Sequence, residues 1–447
     1  MKEREEKLEM KKNKSNLIYE LWSAVKNNSV KKVEIVLKKC DKYEDVTFLK
    51  INEKNADGDF LLFYATKNNN TKLVEMFIEY ANRHQIILDL NIQNDHGYSL
   101  LNAIINNNIE MVQLLMEYAN KNNINLNINN QNKKEDYPLD WAVRANNTEM
   151  IKLLMDYAEE HNIPLNLNKL NEDKTYPLIT IIDKNNFEIV KRFIEYANKN
   201  NIDLELNEKD TNGYYPLLEA TYINNIEIVH LLIDYATNRD IILKLNEKSN
   251  MGSYPLLLAV SHNNVKMTQL LIKYSTDHNI VLDLNEKNKN NDFPFLQAFK
   301  NNSINMVNLL IEYADQHNII LEVNENTKIG NYPLLYTTIN NNTDMVKLLL
   351  KYSNDHNAVL EVNKRNMNNE FPILQAVYNN NFDIVKLLID YAQNHEFNLK
   401  FNRSEIKYGT RTLSEIKELL QFYEKNKKKV NNNNYYNLIN KYYKYPN

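Results

Sequence analysis

Apolar residues along this chain fall into a repeating cycle of three patterns. In the copy from Gly252 to Asn285, a short apolar block opens at Pro255, "PLLLAVSH", and stops at paired asparagines, Asn263 and Asn264. A longer amphipathic stretch follows. In the preceding copy Val229, Leu232 and Ala236 stand at i, i+3 and i+7, with Ile228, Leu231 and Tyr235 on an adjoining stripe. That spacing predicts a helix whose broad apolar face packs on both neighbours. The cycle closes on a few alternating residues, "VLDLN" at 281–285. They predict an extended arm whose last asparagine bridges its own backbone in a turn.

The boundaries of these elements are written in residues with specific backbone preferences. Proline suits the first helical turn, where its missing N–H would have had no partner. The first helix of each cycle is therefore expected to start at the proline. It should end about two turns later at an asparagine that recurs at 69, 107, 146, 185, 224, 263, 302, 341 and 380. Asparagine tolerates the left-handed conformation that closes a helix. The residue after it is again asparagine in every copy but one, Ser303, and both types are good N-caps for a second helix.

The period is regular. Pro138, Pro177, Pro216, Pro255, Pro294, Pro333 and Pro372 are spaced by 39 residues, and a tyrosine series from Tyr80 to Tyr391 keeps the same step but for one of 38. Nine full units result. "LWSAVKNNSVKKVEIVLKKC" reads as a divergent first unit and "GTRTLSEIKELLQFYEK" as a truncated last one. A helix pair cannot bury its apolar side alone, so neighbouring units must stack. The expected organisation is a charged segment at 1–15, a solenoid over 16–423 and a basic tail at 424–447.

The Tyr-Pro-Leu-Leu-x-Ala opening, followed by "NNIEIVHLLI", resembles the ankyrin repeat, whose signature is Thr-Pro-Leu-His-x-Ala. Gly58, Gly213, Gly252 and Gly330 match that family's turn glycine, with Asn291 and Asn369 as substitutes. Tetratricopeptide repeats lack this proline position, and HEAT-like repeats lack the arm. The resemblance implies an all-α fold: an α-solenoid of stacked helix-turn-helix repeats joined by short β-turns and extended arms. The departures are systematic. Tyr or Phe replaces the family's threonine, Leu its histidine in most units, and Asn its inter-helix glycine. The added length predicts a second helix about one turn longer, closed by Asn123, Asn162, Asn201, Asn279, Asn318 and Asn357. Loss of the family histidine points to aromatic packing in place of its hydrogen bonds.

Composition narrows the function. The 447 residues carry a net charge of −4, which argues against nucleic acid as the main partner. Cys40 is the only cysteine, so there is no intramolecular disulfide and no thiolate-rich zinc site. No apolar run approaches the length of a membrane span or a signal-peptide core, and a cytoplasmic or nuclear location is expected. Residues 424–447 carry six lysines and one glutamate. Such a tail reads as a solvated appendage or, alternatively, as an electrostatic adaptor docking an acidic membrane or nucleic-acid surface.

No catalytic motif, cofactor-binding motif or small-molecule site stands out. Six histidines keep register four residues after the tyrosine series: His84, His161, His278, His317, His356 and His395. They are expected to bond carbonyls at helix ends rather than ligate metal. Large residues that break the pattern on the first helices, Trp141, Tyr222, Phe299, Tyr336 and Tyr378, are expected as anchors on a concave face. The reading is a monomeric, non-catalytic scaffold that binds another protein through its turn tips and first helices.

Overall fold

The structure, a computed structural model, describes residues 2–43, 45–401 and 414–426. They divide into two compact units, the first running to Ile241 and the second from Ile242, with Asn224–Ile226 belonging to the second. Regular structure among the described residues is helical, apart from one isolated bridge between Asn94 and Gly97. The basic tail on which the adaptor reading rests lies outside the described residues from 427 onward, as does the start of the truncated last unit at 409–413.

The first unit begins with α1 (Lys2–Lys26) and α2 (Val30–Cys40), so one helix spans both the charged segment and the start of the divergent first unit. Helix pairs follow: α3 (Leu61–Lys67) with α4 (Thr71–Arg83), α5 (Ser99–Ile105) with α6 (Ile109–Lys121), and α7 (Pro138–Arg144) with α8 (Thr148–Glu160). Then come α9 (Pro177–Asp183) with α10 (Phe187–Lys199), and α11 (Pro216–Tyr222) with α12 (Ile226–Asn238). The second unit holds α13 (Pro255–Ser261) with α14 (Val265–Asp277) and α15 (Pro294–Lys300) with α16 (Ile304–Gln316). It continues with α17 (Pro333–Ile339) and α18 (Thr343–Asp355), α19 (Pro372–Tyr378) and α20 (Phe382–Asn394), and α21 (Ser414–Asn426).

The expected helix boundaries hold. All seven prolines of the series stand in the first turn of a first helix, and the whole asparagine series that ends these helices has positive φ, from 50° at Asn146 to 58° at Asn224. The next asparagine caps the second helix: the side chain of Asn147, for instance, accepts from the Met150 amide at 2.9 Å. Ser303 makes no such bond. At the other end, Asn123, Asn162, Asn201, Asn279, Asn318 and Asn357 all have positive φ, one position past the cap residue itself.

The arms differ from expectation in one respect. Within each unit their terminal asparagines, from Asn91 to Asn168 in the first and from Asn246 to Asn363 in the second, reach the next arm rather than bridging their own backbone. The Asn91 amide donates to the carbonyl of Asn125 (2.8 Å) and accepts from the amide of Asn127 (3.0 Å). Asn129 and Asn168 repeat this in the first unit, and Asn246, Asn285, Asn324 and Asn363 in the second. One side-chain amide offers a donor and an acceptor, so it completes two backbone groups that an extended segment would otherwise leave open.

Tyrosine hydroxyls supply a second set of links. The second-helix tyrosine of one repeat accepts the arm leucine N–H of the repeat before it: Tyr118 from Leu88, Tyr157 from Leu126 and Tyr196 from Leu165 in the first unit, and Tyr274 from Leu243 and Tyr313 from Leu282 in the second. The tyrosine before the proline donates forward instead. Tyr254 bonds the carbonyls of Asp283 and Glu286, both at 2.9 Å. The aromatic substitutions therefore bring hydrogen bonds between repeats as well as the packing expected of them.

Candidate functional site

Each first helix carries two positions one turn apart on one side, the fourth residue, which is half-buried or buried, and the seventh, which is half-buried or exposed. In α7 these are Trp141 and Arg144, in α11 Glu219 and Tyr222, in α17 Tyr336 and Ile339, and in α19 Gln375 and Tyr378. Residues three apart on a helix share a face, so one surface strip per unit gathers these side chains. Tyr222 and Tyr378 are each 51% exposed, and Tyr222 meets Tyr214 edge-on at 5.5 Å. Trp141 is partly buried, with the Arg144 guanidinium 5.7 Å from its ring centre.

Two of the five expected anchors are placed differently. Phe299 is fully buried and packs edge-on against Phe295 at 4.9 Å. It is the sixth residue of α15, in register with Val260 and Val377, and the helical rotation of about 100° per residue turns that position into the core. Tyr336 holds the right register but is only 9% exposed. Tyr64 shares the register of Trp141 and Tyr336 and escapes the sequence reading because its unit lacks the proline. Its ring meets Trp22 edge-on at 6.2 Å and its hydroxyl donates to Asp59 at 2.7 Å.

Two acids of the first helices, Asp140 and Glu219, are buried. Asp140 has no exposure; its carboxylate accepts from Asn171 at 2.8 Å and lies 2.9 Å from Arg144, which also approaches Asp173 at 3.1 Å. Burial pushes the Asp140 carboxyl upward. Burial likewise drives Glu219 up to about 7, with Asp183 and Asp210 adding like-charge repulsion. Cys40 is buried and its thiol is pushed up to about 11, far from reactive.

The register histidines are helix-end groups. The Nδ1 atoms of His278, His317, His356 and His395 lie 2.9–3.0 Å from the carbonyl of the tyrosine four residues earlier, and each ring stacks on that tyrosine. His84 and His356 reach back to Asp41 (2.7 Å) and Asp315 (2.8 Å) of the preceding repeat. Among the described residues no three His, Cys, Asp or Glu side chains come together as metal ligands, and no helix is long and apolar enough to cross a membrane.

The arms of the second unit expose a row the sequence reading passed over: Ile242, Val281, Ile320 and Val359, each about half exposed at one register position. The alternation was legible in sequence. Which phase of it faces outward was not, because the arms are too short to form a sheet.

The match to family models agrees with this architecture. A family model described as ankyrin repeats (3 copies) matches residues 21–128, 83–164 and 317–400, and one described as ankyrin repeats (many copies) matches 165–233. Among solved structures, the ankyrin repeat domain of Bcl-3, described as a unique member of the IkappaB protein family, aligns at 19% identity. The alignment covers 57% of this chain and 98% of that one, with a TM-score of 0.40. No curated protein matches. Ankyrin repeats are generally protein–protein interaction modules, and this chain, with its lengthened helix-turn-helix units and matches over more than half its length, belongs to the ankyrin-repeat family.

Proposed function

We propose that this chain is a non-catalytic scaffold that holds another protein against the outer faces of its first helices and the adjoining turn tips. The observation that carries this reading is the half-exposure of Tyr222 and Tyr378 at the same register position. Large amphipathic rings held on short, fully packed helices lose little entropy on binding and bury much area, which is why such residues anchor interfaces. Trp141 joins them as a partly buried anchor, and Tyr336 contributes an edge. Phe299 is no longer among the candidates.

The test is affinity capture from native extract, comparing the intact chain with a Tyr222→Ala/Tyr378→Ala variant whose melting curve is unchanged. Loss of a captured partner from that variant is expected. Identical partners with both chains would remove the first-helix face from consideration.

A further inference from the structure

Departures from the rules of the repeat gather in one stretch of the first unit. The turn tip of each repeat needs a residue in the left-handed region, which Gly58, Gly97, Gly213, Gly252, Asn291, Gly330 and Asn369 supply elsewhere. Glu135 (φ 64°) and Lys174 (φ 56°) adopt it with long side chains, and the two form an ion pair across adjacent tips at 2.8 Å. Among the described residues of this stretch two buried polar atoms, the Ser99 hydroxyl oxygen and the Trp141 indole nitrogen, have no hydrogen-bond partner, while the buried Asp140 and its neighbour Arg144 are held in ion pairs. Strained backbone and unsatisfied polar groups cost free energy, and they persist where binding uses them.

A cavity of about 290 Å³ opens at this place, large enough for a side chain. Phe63, Ile105 and Trp141 give it apolar walls, while Lys67, Lys134 and His96 bring positive or ionisable groups. One acid, Asp136, also lines it, but that carboxylate is buried and takes a hydrogen bond from Asn132 at 2.9 Å. The ammonium groups of Lys67 and Lys134 are exposed and have no carboxylate partner among the described residues. Their neighbour Lys133, by contrast, is paired with Asp95 at 2.7 Å. Apolar walls with unpaired cations at the rim complement a group with an aliphatic stem and an anionic end.

We propose that this cavity receives an aspartate or glutamate side chain from an extended segment of the partner protein, its methylenes against Trp141 and Phe63 and its carboxylate at Lys67 and Lys134. The inference rests on the scaffold reading above and adds a place and a chemistry to it.

The chain contains two tryptophans, so Trp22→Phe leaves Trp141 as the only indole and its emission reports on the cavity. In that background short peptides with a central Glu-Glu, Gln-Gln or Lys-Lys pair are titrated, with fluorescein-labelled versions followed by anisotropy. Saturable binding of the Glu-Glu peptide is expected, at least about tenfold tighter than the other two and weakened by added salt, with a shift in Trp141 emission. Lys67→Glu/Lys134→Glu, at unchanged circular dichroism and melting temperature, should lower that affinity by at least about tenfold. Equal binding of Glu-Glu and Gln-Gln peptides, no binding at all, or full binding by the lysine variant would overturn the proposal. A partner captured by the lysine variant but lost with Tyr222→Ala/Tyr378→Ala would also overturn it, while leaving the scaffold reading in place.

Discussion

The phenol oxygen of Tyr157 lies 3.1 Å from the amide nitrogen of Leu126, thirty-one residues earlier, and accepts its hydrogen. The same hydroxyl donates to the carbonyl of Ile124 at 3.2 Å. Both partners belong to the arm of the preceding repeat. The Leu126 amide is buried, so without the hydroxyl it has no water to turn to.

Tyr157→Phe should therefore cost about 1–3 kcal/mol, the penalty of a buried donor left open. Tyr80, at the start of the series, is a built-in control because its buried hydroxyl has no partner. Tyr80→Phe should be neutral or slightly stabilising. Urea melts of the two variants check the contrast, and equal destabilisation would assign the tyrosines to packing alone.

The capping position of α16 offers a gain. At Asn70, Asn108, Asn147, Asn186, Asn264, Asn342 and Asn381 the capping asparagine both bonds its own helix and donates to the left-handed asparagine one repeat back, as Asn147 does to Asn107 at 2.6 Å and Asn342 to Asn302 at 2.7 Å. Ser303 makes no cap bond. Ser303→Asn should restore it and add a link to Asn263, raising stability by about 0.5–1 kcal/mol. The mirror change, Asn147→Ala, should cost about 1–2 kcal/mol. Thermal denaturation reads both.

Gly252 separates two effects of a side chain at a turn tip. Its φ is +81°, and an added Cβ would come within 2.9 Å of the Asn288 Cα in the next repeat's tip, a backbone atom that cannot swing aside. Gly58 has the same φ with nothing within 4 Å. Gly58→Ala should cost about 1 kcal/mol of backbone strain, and Gly252→Ala distinctly more. Equal losses in denaturant melts would mean that the tips do not press on one another.

Glu219 makes stability depend on pH near neutrality. Its carboxyl is driven up to about 7 by burial, with Asp183 and Asp210 reinforcing the shift, against 4.5 when unfolded. The folded state therefore holds this proton more tightly than the unfolded one. The stabilising contribution is complete below pH 4.5, falls as pH rises and is gone above 7, a change of about 3 kcal/mol. Glu219→Gln should flatten the stability profile between pH 5 and 8 and leave the variant more stable than the parent at pH 8. Parallel profiles for the two proteins would contradict the buried-acid reading.

Much of this fold was legible in sequence because its helix ends are set locally. Asparagine in the left-handed region, proline in the first turn and asparagine at the N-cap act within four residues of themselves, and each stands where its own backbone preference puts it. The links from Tyr157 to Leu126 and from Asn91 to Asn125 and Asn127 join residues more than thirty apart, and no local preference announces them. The candidate face was half legible. Tyr222 and Tyr378 emerge as expected, but Phe299 sits one residue short of their register, enough on a helix to turn it inward. The cavity at Trp141 draws on three successive repeats and on tip residues whose charge pairing exists only in three dimensions.

The asparagine that closes each arm has a consequence for how such a chain changes length. Its two bonds always go to the same two positions of the following arm, so every junction within a unit is interchangeable with the next. A duplicated or deleted 39-residue segment meets its new neighbour with the same donor, the same acceptor and the same spacing. The cost of closing each junction stays constant however many are present. Growth by copying is thus chemically cheap for this architecture, and the irregular stretch around Trp141 is the part that copying would not reproduce.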